Sequence, residues 1–124
     1  MTVWLEQDDT EHPVPVELRG VFEGIADAFM QGDYELRERP IAGVAPVDRD
    51  TAQFIEASIA AYGDVLAPLD PAVWERSCYA WAASGHWQVL VDLTTQQEPV
   101  SDLTLHADIR LEPLRITVRS VHVP

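Results

Sequence analysis

Hydrophobic positions change their period partway along the chain. From Pro15 they recur at helical spacing, with Leu18, Val21, Phe22, Ile25 and Phe29 on one side and Gly32 behind them as a stop, which predicts a first helix. Arg19, Glu23 and Asp27 step along the opposite, solvated side at intervals of four. Residues 33–49 are punctuated by Pro40, Gly43 and Pro46 and read as a long loop. A second helix is expected to open at Asp50, whose spacing to Gln53 has the form of a capping box. Its stripe is Ala52, Ile55, Ile59 and Tyr62, with Phe54 beside it and Gly63 as its end. Asp70-Pro71 then reads as a cap followed by proline at the first position of a short turn that presents Trp74.

After Trp74 the pattern alternates. Strands are expected at about 77–82, 87–94, 102–111 and 115–123, with a hairpin turn at Ser84-Gly85 and a type I turn at Glu112-Pro113-Leu114-Arg115. Two N-terminal helices followed by these strands predict an α+β domain over residues 14–124. The helices would pack on one face of a four-stranded antiparallel meander sheet. Residues 1–13 are expected to form an acidic N-terminal arm.

Strand register follows from keeping apolar residues on one side, because a slip of one residue inverts a strand. The pairings expected are Leu111 with Ile116, Ile109 with Val118, Leu93 with Leu103, Val91 with Leu105, Val89 with Ala107, Cys78 with Val91 and Ala80 with Val89. They collect Cys78, Ala80, Val89, Val91, Leu93, Leu103, Leu105, Ile109, Leu111, Ile116 and Val118 under the helices. The opposite face would then carry Tyr79, Leu90, His106 and Val121 in one row, and Trp81, Gln88, Asp108 and Arg119 in the next. Such a face is either open to a partner or covered by the chain itself, through the 33–49 loop or the segment holding Val3, Trp4 and Leu5.

Charge narrows the functions to consider. The 124 residues carry 21 acids against 8 arginines and no lysine, a formal net charge of −13. Residues 1–75 hold 16 of the acids and 4 arginines, so the helical half alone has a net charge of −12. That field repels phosphate backbones and argues against a nucleic-acid partner, while it favours encounter with a basic protein. The single cysteine excludes an internal disulfide framework and a Cys-based zinc site. No long apolar run or leader pattern is visible, so the expected setting is cytoplasmic, away from any membrane.

Candidate chemistry is sparse. His106-x-Asp108 puts an imidazole and a carboxylate on one side of a strand, with Asp92 nearby, as a metal-ligand pair or a base with its orienting acid would require. A polar cross-strand cluster such as Asp108–Arg119 accounts for the same spacing. Cys78 has no surrounding signature of a nucleophile. The acids Asp8, Asp9 and Glu11 lack a calcium-loop pattern, and no phosphate loop, dinucleotide fingerprint or G-x-S-x-G is present. No catalytic residue, cofactor or metal is therefore expected.

Several strings resemble a family of small bacterial, largely actinobacterial, domains of unknown function. They are Ala61-Tyr62-Gly63, Leu66-Ala67-Pro68-Leu69, Trp74-Glu75, Val91-Asp92-Leu93-Thr94-Thr95, Ser101-Asp102-Leu103-Thr104-Leu105 and Val121-His122-Val123. The likeness runs over roughly residues 14–124 and implies a bacterial domain of two helices and four strands. Glu98-Pro99-Val100 departs from the glutamate-glycine-arginine that often precedes the Ser101 strand in that family. In general shape the domain is also similar to immunity proteins of toxin systems.

The expectation is therefore a non-enzymatic acidic protein-binding domain, of the immunity-inhibitor type, that takes a basic partner. Its expected contacts are Glu23, Asp27, Tyr79, Trp81, His106 and Asp108. The alternative is a small-ligand-binding or enzymatic cone whose pocket, between helices and sheet, is lined by Phe22, Phe29, Tyr62, Trp74 and Cys78.

Overall fold

The computed structural model describes residues 3–124, so Met1 and Thr2 of the expected arm lie outside the described residues. The elements in chain order are β1 (His12–Pro13), α1 (Val16–Met30), α2 (Arg49–Tyr62), β2 (Leu66–Ala67), a 3-10 turn (Pro71–Glu75), β3 (Cys78–Ala82), β4 (His86–Asp92), β5 (Thr94–Thr95), β6 (Thr104–Arg110) and β7 (Arg115–His122). The protein is α+β, with two helices and a largely antiparallel sheet of five strands in the order β1-β3-β4-β6-β7. The fifth strand is the short β1, which lies against β3. A second, two-stranded sheet joins β2 to β5.

Helix α1 starts behind Pro15, as its spacing predicts, and ends before Gly32, whose φ of +83° only glycine adopts freely. Helix α2 starts earlier than the Asp50 cap expected from the sequence. Asp48 is the cap, its carboxylate accepting from the Thr51 N–H at 2.8 Å. Starting there gains the Ala52 N–H to Asp48 C=O bond at 2.9 Å and leaves Asp50 in the first turn, favourably placed against the helix dipole. Gly63 closes α2 in the left-handed region, and Asp70 caps the 3-10 turn by accepting from the Ala72 N–H. Phe22, Phe29, Ile25, Ile55 and Ile59 join Val89, Val91, Leu105, Ile109 and Ile116 in one buried cluster.

The pairing of β4 with β6 runs in the expected register, with Val89 opposite Ala107 and Val91 opposite Leu105. Strand β3 does not. Tyr79 lies opposite Val89 and Trp81 opposite Trp87, one residue away from the expected pairing. The turn explains the slip. Its loop is Ala83-Ser84-Gly85, three residues long, with Gly85 at φ +87° and its N–H on the Ala82 carbonyl at 3.1 Å. One extra loop residue inverts the strand. Tyr79 and Trp81 therefore face inward, and Cys78 and Ala80 face outward.

Strand β7 corrects a second placement. Ile116 pairs with Ile109 rather than with Leu111, which lies in the β6–β7 turn. A bulge then intervenes, because Ala107 pairs with Val118 but His106 with Ser120. The additional residue, Arg119, re-phases the remainder of the strand. Val121, expected on the outer face, is fully buried against the core, and His122 emerges on the open side.

Neither covering segment lies where an outer cover would. The 33–49 loop flanks the edge of β7, where Ile116 donates to the Gly43 carbonyl at 2.7 Å and accepts from the Ala45 N–H at 2.8 Å. Its Leu36 and Val47 join the core. The N-terminal segment straps the inner face of β3 and β4, with Leu5 1 % exposed among core residues.

Candidate functional site

The six expected contact residues, two on the first helix and four on the outer sheet face, fall on three surfaces. Glu23 and Asp27 are on the outer side of α1, away from its buried stripe. Tyr79 is buried on the inner face, where its hydroxyl accepts from the Glu6 N–H at 2.9 Å. Trp81 is also on the inner face, half-buried. His106 and Asp108 occupy the open face and are the pair that the structure does bring together.

On that open face Asp108 accepts from Arg119 Nε at 2.6 Å and stands 3.5 Å from His86 Nε2. Arg119 is the additional residue of the bulge in β7, and its side chain reaches Asp108 across the open face. His106 stacks on His122 with centroids 4.3 Å apart, and a shallow pocket of about 180 Å³ opens between His106, Asp108, Arg119 and Gln88. His106 Nε2 is buried and has no partner among the described residues. Asp108, Arg119 and His86 thus form a polar cross-strand cluster of the kind the spacing allowed.

Burial, and then the neighbouring His122, lowers the His106 pKa from its ordinary 6.5. Protonation is thus harder in the folded chain than in the unfolded one. The stability this group contributes is fully present above pH 6.5 and is lost as pH falls through its lower folded value. In an NMR titration of the ring protons, His106 is expected to titrate below pH 6.5 and to move upward in His122→Ala. An unchanged midpoint in that variant removes the coupling.

Cys78, outward on β3, is held by the Glu11 carboxylate at 3.4 Å. Burial first, then the Glu11 hydrogen bond and the charges of Glu11 and Asp92, push its thiol up to about 11. Because the thiolate is the nucleophile, iodoacetamide at pH 8 should modify Cys78 roughly a hundredfold more slowly than an ordinary cysteine. A rate within threefold of free cysteine contradicts this.

The pocket expected between helices and sheet has no counterpart at its named residues. Phe22 and Phe29 are fully buried core side chains. The Tyr62 hydroxyl donates to Glu98 and accepts from the Asp102 N–H, which ties the end of α2 to the loop after β5. Trp74 packs in the core with the Arg19 guanidinium 5.4 Å from its ring centroid. Interior volume is filled here by aromatic side chains.

The more developed concavity lies at the other end of the sheet. It is a groove of about 670 Å³ between the strap and the two hairpin turns, with Val3, Trp4, Leu5 and Gln7 on one side and Trp81, Trp87 and residues 110–114 on the other. Trp81 meets Trp87 edge-on, at 66° and 4.7 Å between centroids. Trp87 Nε1 donates to the Glu6 carbonyl at 2.8 Å, so Glu6 latches the strap through both its N–H and its C=O. Trp4 projects outward with 75 % of its surface exposed.

Beyond the groove the strap continues as an ordered acidic rim. Asp8 accepts from the Thr10 N–H at 3.0 Å and lies 2.9 Å from His12 Nε2. The His12 hydrogen bond, with help from Thr10, holds the Asp8 carboxyl down at about 2. Asp9 and Glu11 stand exposed next to it. The arm therefore belongs to the folded domain at Leu5, Glu6 and His12.

Sequence reasoning missed Trp87, Leu111 and Pro113 as neighbours of Trp81. The available signal was the turn: counting Ala83-Ser84-Gly85 as a three-residue loop pairs the two tryptophans directly. Trp4 stands out in the sequence, but nothing local to it shows which face its segment will cover.

No helix among the described residues is long and apolar enough to cross a membrane. No curated protein and no solved structure matches the chain. A family model does match residues 26–124, beginning within α1, so that the strap lies outside the matched part. That match covers most of the sequence, and the chain belongs to DUF7668, a family whose domain is of unknown function.

Proposed function

We propose that this domain is a non-enzymatic binding module for a basic protein, and that the tryptophan groove with its acidic rim is where the partner docks. The observation that carries the reading is the groove itself. Two accessible tryptophans, Trp4 and Trp81, stand beside an arginine in a concavity of about 670 Å³. Tryptophan and arginine are the residue types that dominate binding energy at protein interfaces, and a rigid ring loses little entropy when it is covered. The formal charge of −13 adds attraction toward a cationic partner and speeds its encounter. Held over a cationic active site, such a surface would block it, which is the inhibitory, immunity-type form of the same function.

The groove replaces the open sheet face as the expected contact surface and keeps Trp81 as an anchor. Glu23 and Asp27 act at longer range, as part of the acidic field.

The test is capture of soluble proteins from the host by the intact chain, at stepped salt, in parallel with Trp4→Ala and Trp81→Ala. The reading requires one basic protein to be recovered by the wild type, to be lost from both variants and to bind less as salt rises. Equal recovery by the variants, or binding indifferent to salt, removes it.

A further inference from the structure

The groove also constrains the shape of the partner segment it takes. Resting on the binding reading above, we infer that the docked segment is an extended, proline-containing stretch flanked by basic residues.

The indole N–H groups supply the first argument. That of Trp87 is committed to the Glu6 carbonyl, and that of Trp4 lies 3.4 Å from the Glu6 carboxylate. Trp81 Nε1 has no acceptor among the described residues, so a half-buried aromatic wall offers one free donor. A polyproline II segment is complementary to it. Its backbone makes no internal hydrogen bonds, so its carbonyls accept without breaking anything first.

The walls supply the second. Trp81, braced edge-on by Trp87, lines the groove beside Leu111 and Pro113 of the β6–β7 turn, with Trp4 of the strap also in the lining. Stiff rings on both partners order few rotamers on contact, which is how aromatic grooves hold proline-rich segments. A helix would need a broad apolar stripe, but Gln7, Arg110 and Glu112 interrupt this lining with polar groups.

Charge sets the direction. Glu6 and Asp9 stand exposed on the strap, which runs out of the groove on one side. Arg110 lies on the opposite side, held to the Gly85 carbonyl at 3.2 Å. A basic residue in the segment is attracted to Glu6 and Asp9 on the strap, while on the other side Arg110 offsets the charge of Glu112, so the cationic end of the ligand lies over residues 6–9.

The experiment is an NMR titration of the intact 15N-labelled chain, read at its four indole N–H signals, with Trp74 as the internal control. Three synthetic peptides are compared: one with arginine followed by alternating prolines, the same peptide with every proline replaced by alanine, and the proline peptide with arginine replaced by glutamate. The first should shift Trp81 and Trp4 but leave Trp74 in place. The alanine and glutamate versions should each bind at least about tenfold more weakly. Trp81→Phe, which keeps a ring but loses the donor, should weaken the first peptide about five- to tenfold. Trp4→Ala, at an exposed position, should do so without risk to the fold.

Equal binding of the alanine peptide in the groove overturns the proline inference and leaves the basic-partner reading standing. Binding of none of the three peptides, with a captured basic protein that shifts Trp81, does the same. If a captured basic protein leaves Trp4 and Trp81 unmoved, both fail. Indole shifts that depend on protein concentration without any peptide would assign the groove to a second copy of this chain, and would also overturn the inference.

Discussion

Replacing Tyr79 by alanine is expected to lower the free energy of unfolding by about 3–5 kcal/mol, the cost of removing a large buried aromatic side chain. The residue is 4 % exposed and packs in the central cluster. Its ring stacks on His12 at 5.4 Å between centroids, and its hydroxyl takes the Glu6 N–H. Loss of the side chain thus opens a cavity and releases one of the two hydrogen bonds that latch the strap. Tyr79→Phe isolates that hydrogen bond, and should cost only about 0.5–1.5 kcal/mol.

Chemical denaturation measures both values. The alanine variant decides the register of β3 in solution. Were the strand one residue out of step, Tyr79 would lie on a solvated face and its loss would cost within about 0.5 kcal/mol. The latch supplies a second readout: amide exchange at residues 5–7 should accelerate in Tyr79→Ala more than exchange in β6. Unchanged protection of the strap would separate it from Tyr79 and weaken the account of how the groove is formed.

Asp33→Ala should be nearly as severe, at about 2–4 kcal/mol. One oxygen of this buried carboxylate accepts from the Arg37 N–H and the other from the Glu38 and Arg39 N–H groups, each at 3.1 Å. Hydrogen bonds to an ionised acceptor are the strong ones, and here a single side chain shapes the turn that follows α1. That turn leads into Leu36 and Val47, which seal one side of the core, and into Gly43 and Ala45, which bracket Ile116.

Asparagine is a demanding control at this position. It keeps one acceptor oxygen but turns an NH₂ group toward the remaining backbone donors, so Asp33→Asn should recover little of the loss. Hydrogen exchange at Arg37, Glu38 and Arg39 should become fast in both variants. A loss below about 0.5 kcal/mol would place Asp33 among the ordinary surface acids.

These two residues mark where reading along the chain stops. Tyr79 was legible as an alternating strand residue, but its facing depended on whether the turn at Ser84-Gly85 holds two residues or three. Local composition suits both. Val121 poses the same difficulty, since the bulge at Arg119 leaves no mark in the alternation. Asp33 was one carboxylate among many, and only the path of the next six residues shows what it holds.

The candidate groove was harder still to read. Its two sides come from the start of the chain and from two hairpin turns about 80 and about 107 residues later. The signals that did carry through are periodic or short-range ones: the apolar stripes of both helices and the span of the first, Gly63 as a stop, the Asp70-Pro71 cap, and the β4–β6 register, where the apolar residues of one face alternate on both strands. The acidic surface was legible too, because net charge is a sum that does not depend on conformation.

From residue order alone the protein is therefore an acidic α+β domain with two helices ahead of its main strands. Helical period, strand alternation and caps are properties of neighbouring residues and survive without a fold. Which side of β3 faces inward, where the strap lies and which tryptophans meet were decided only in three dimensions. Each turns on a one-residue difference in loop length or on contacts between distant segments, and packing against the shared core selects among alternatives that are locally equivalent.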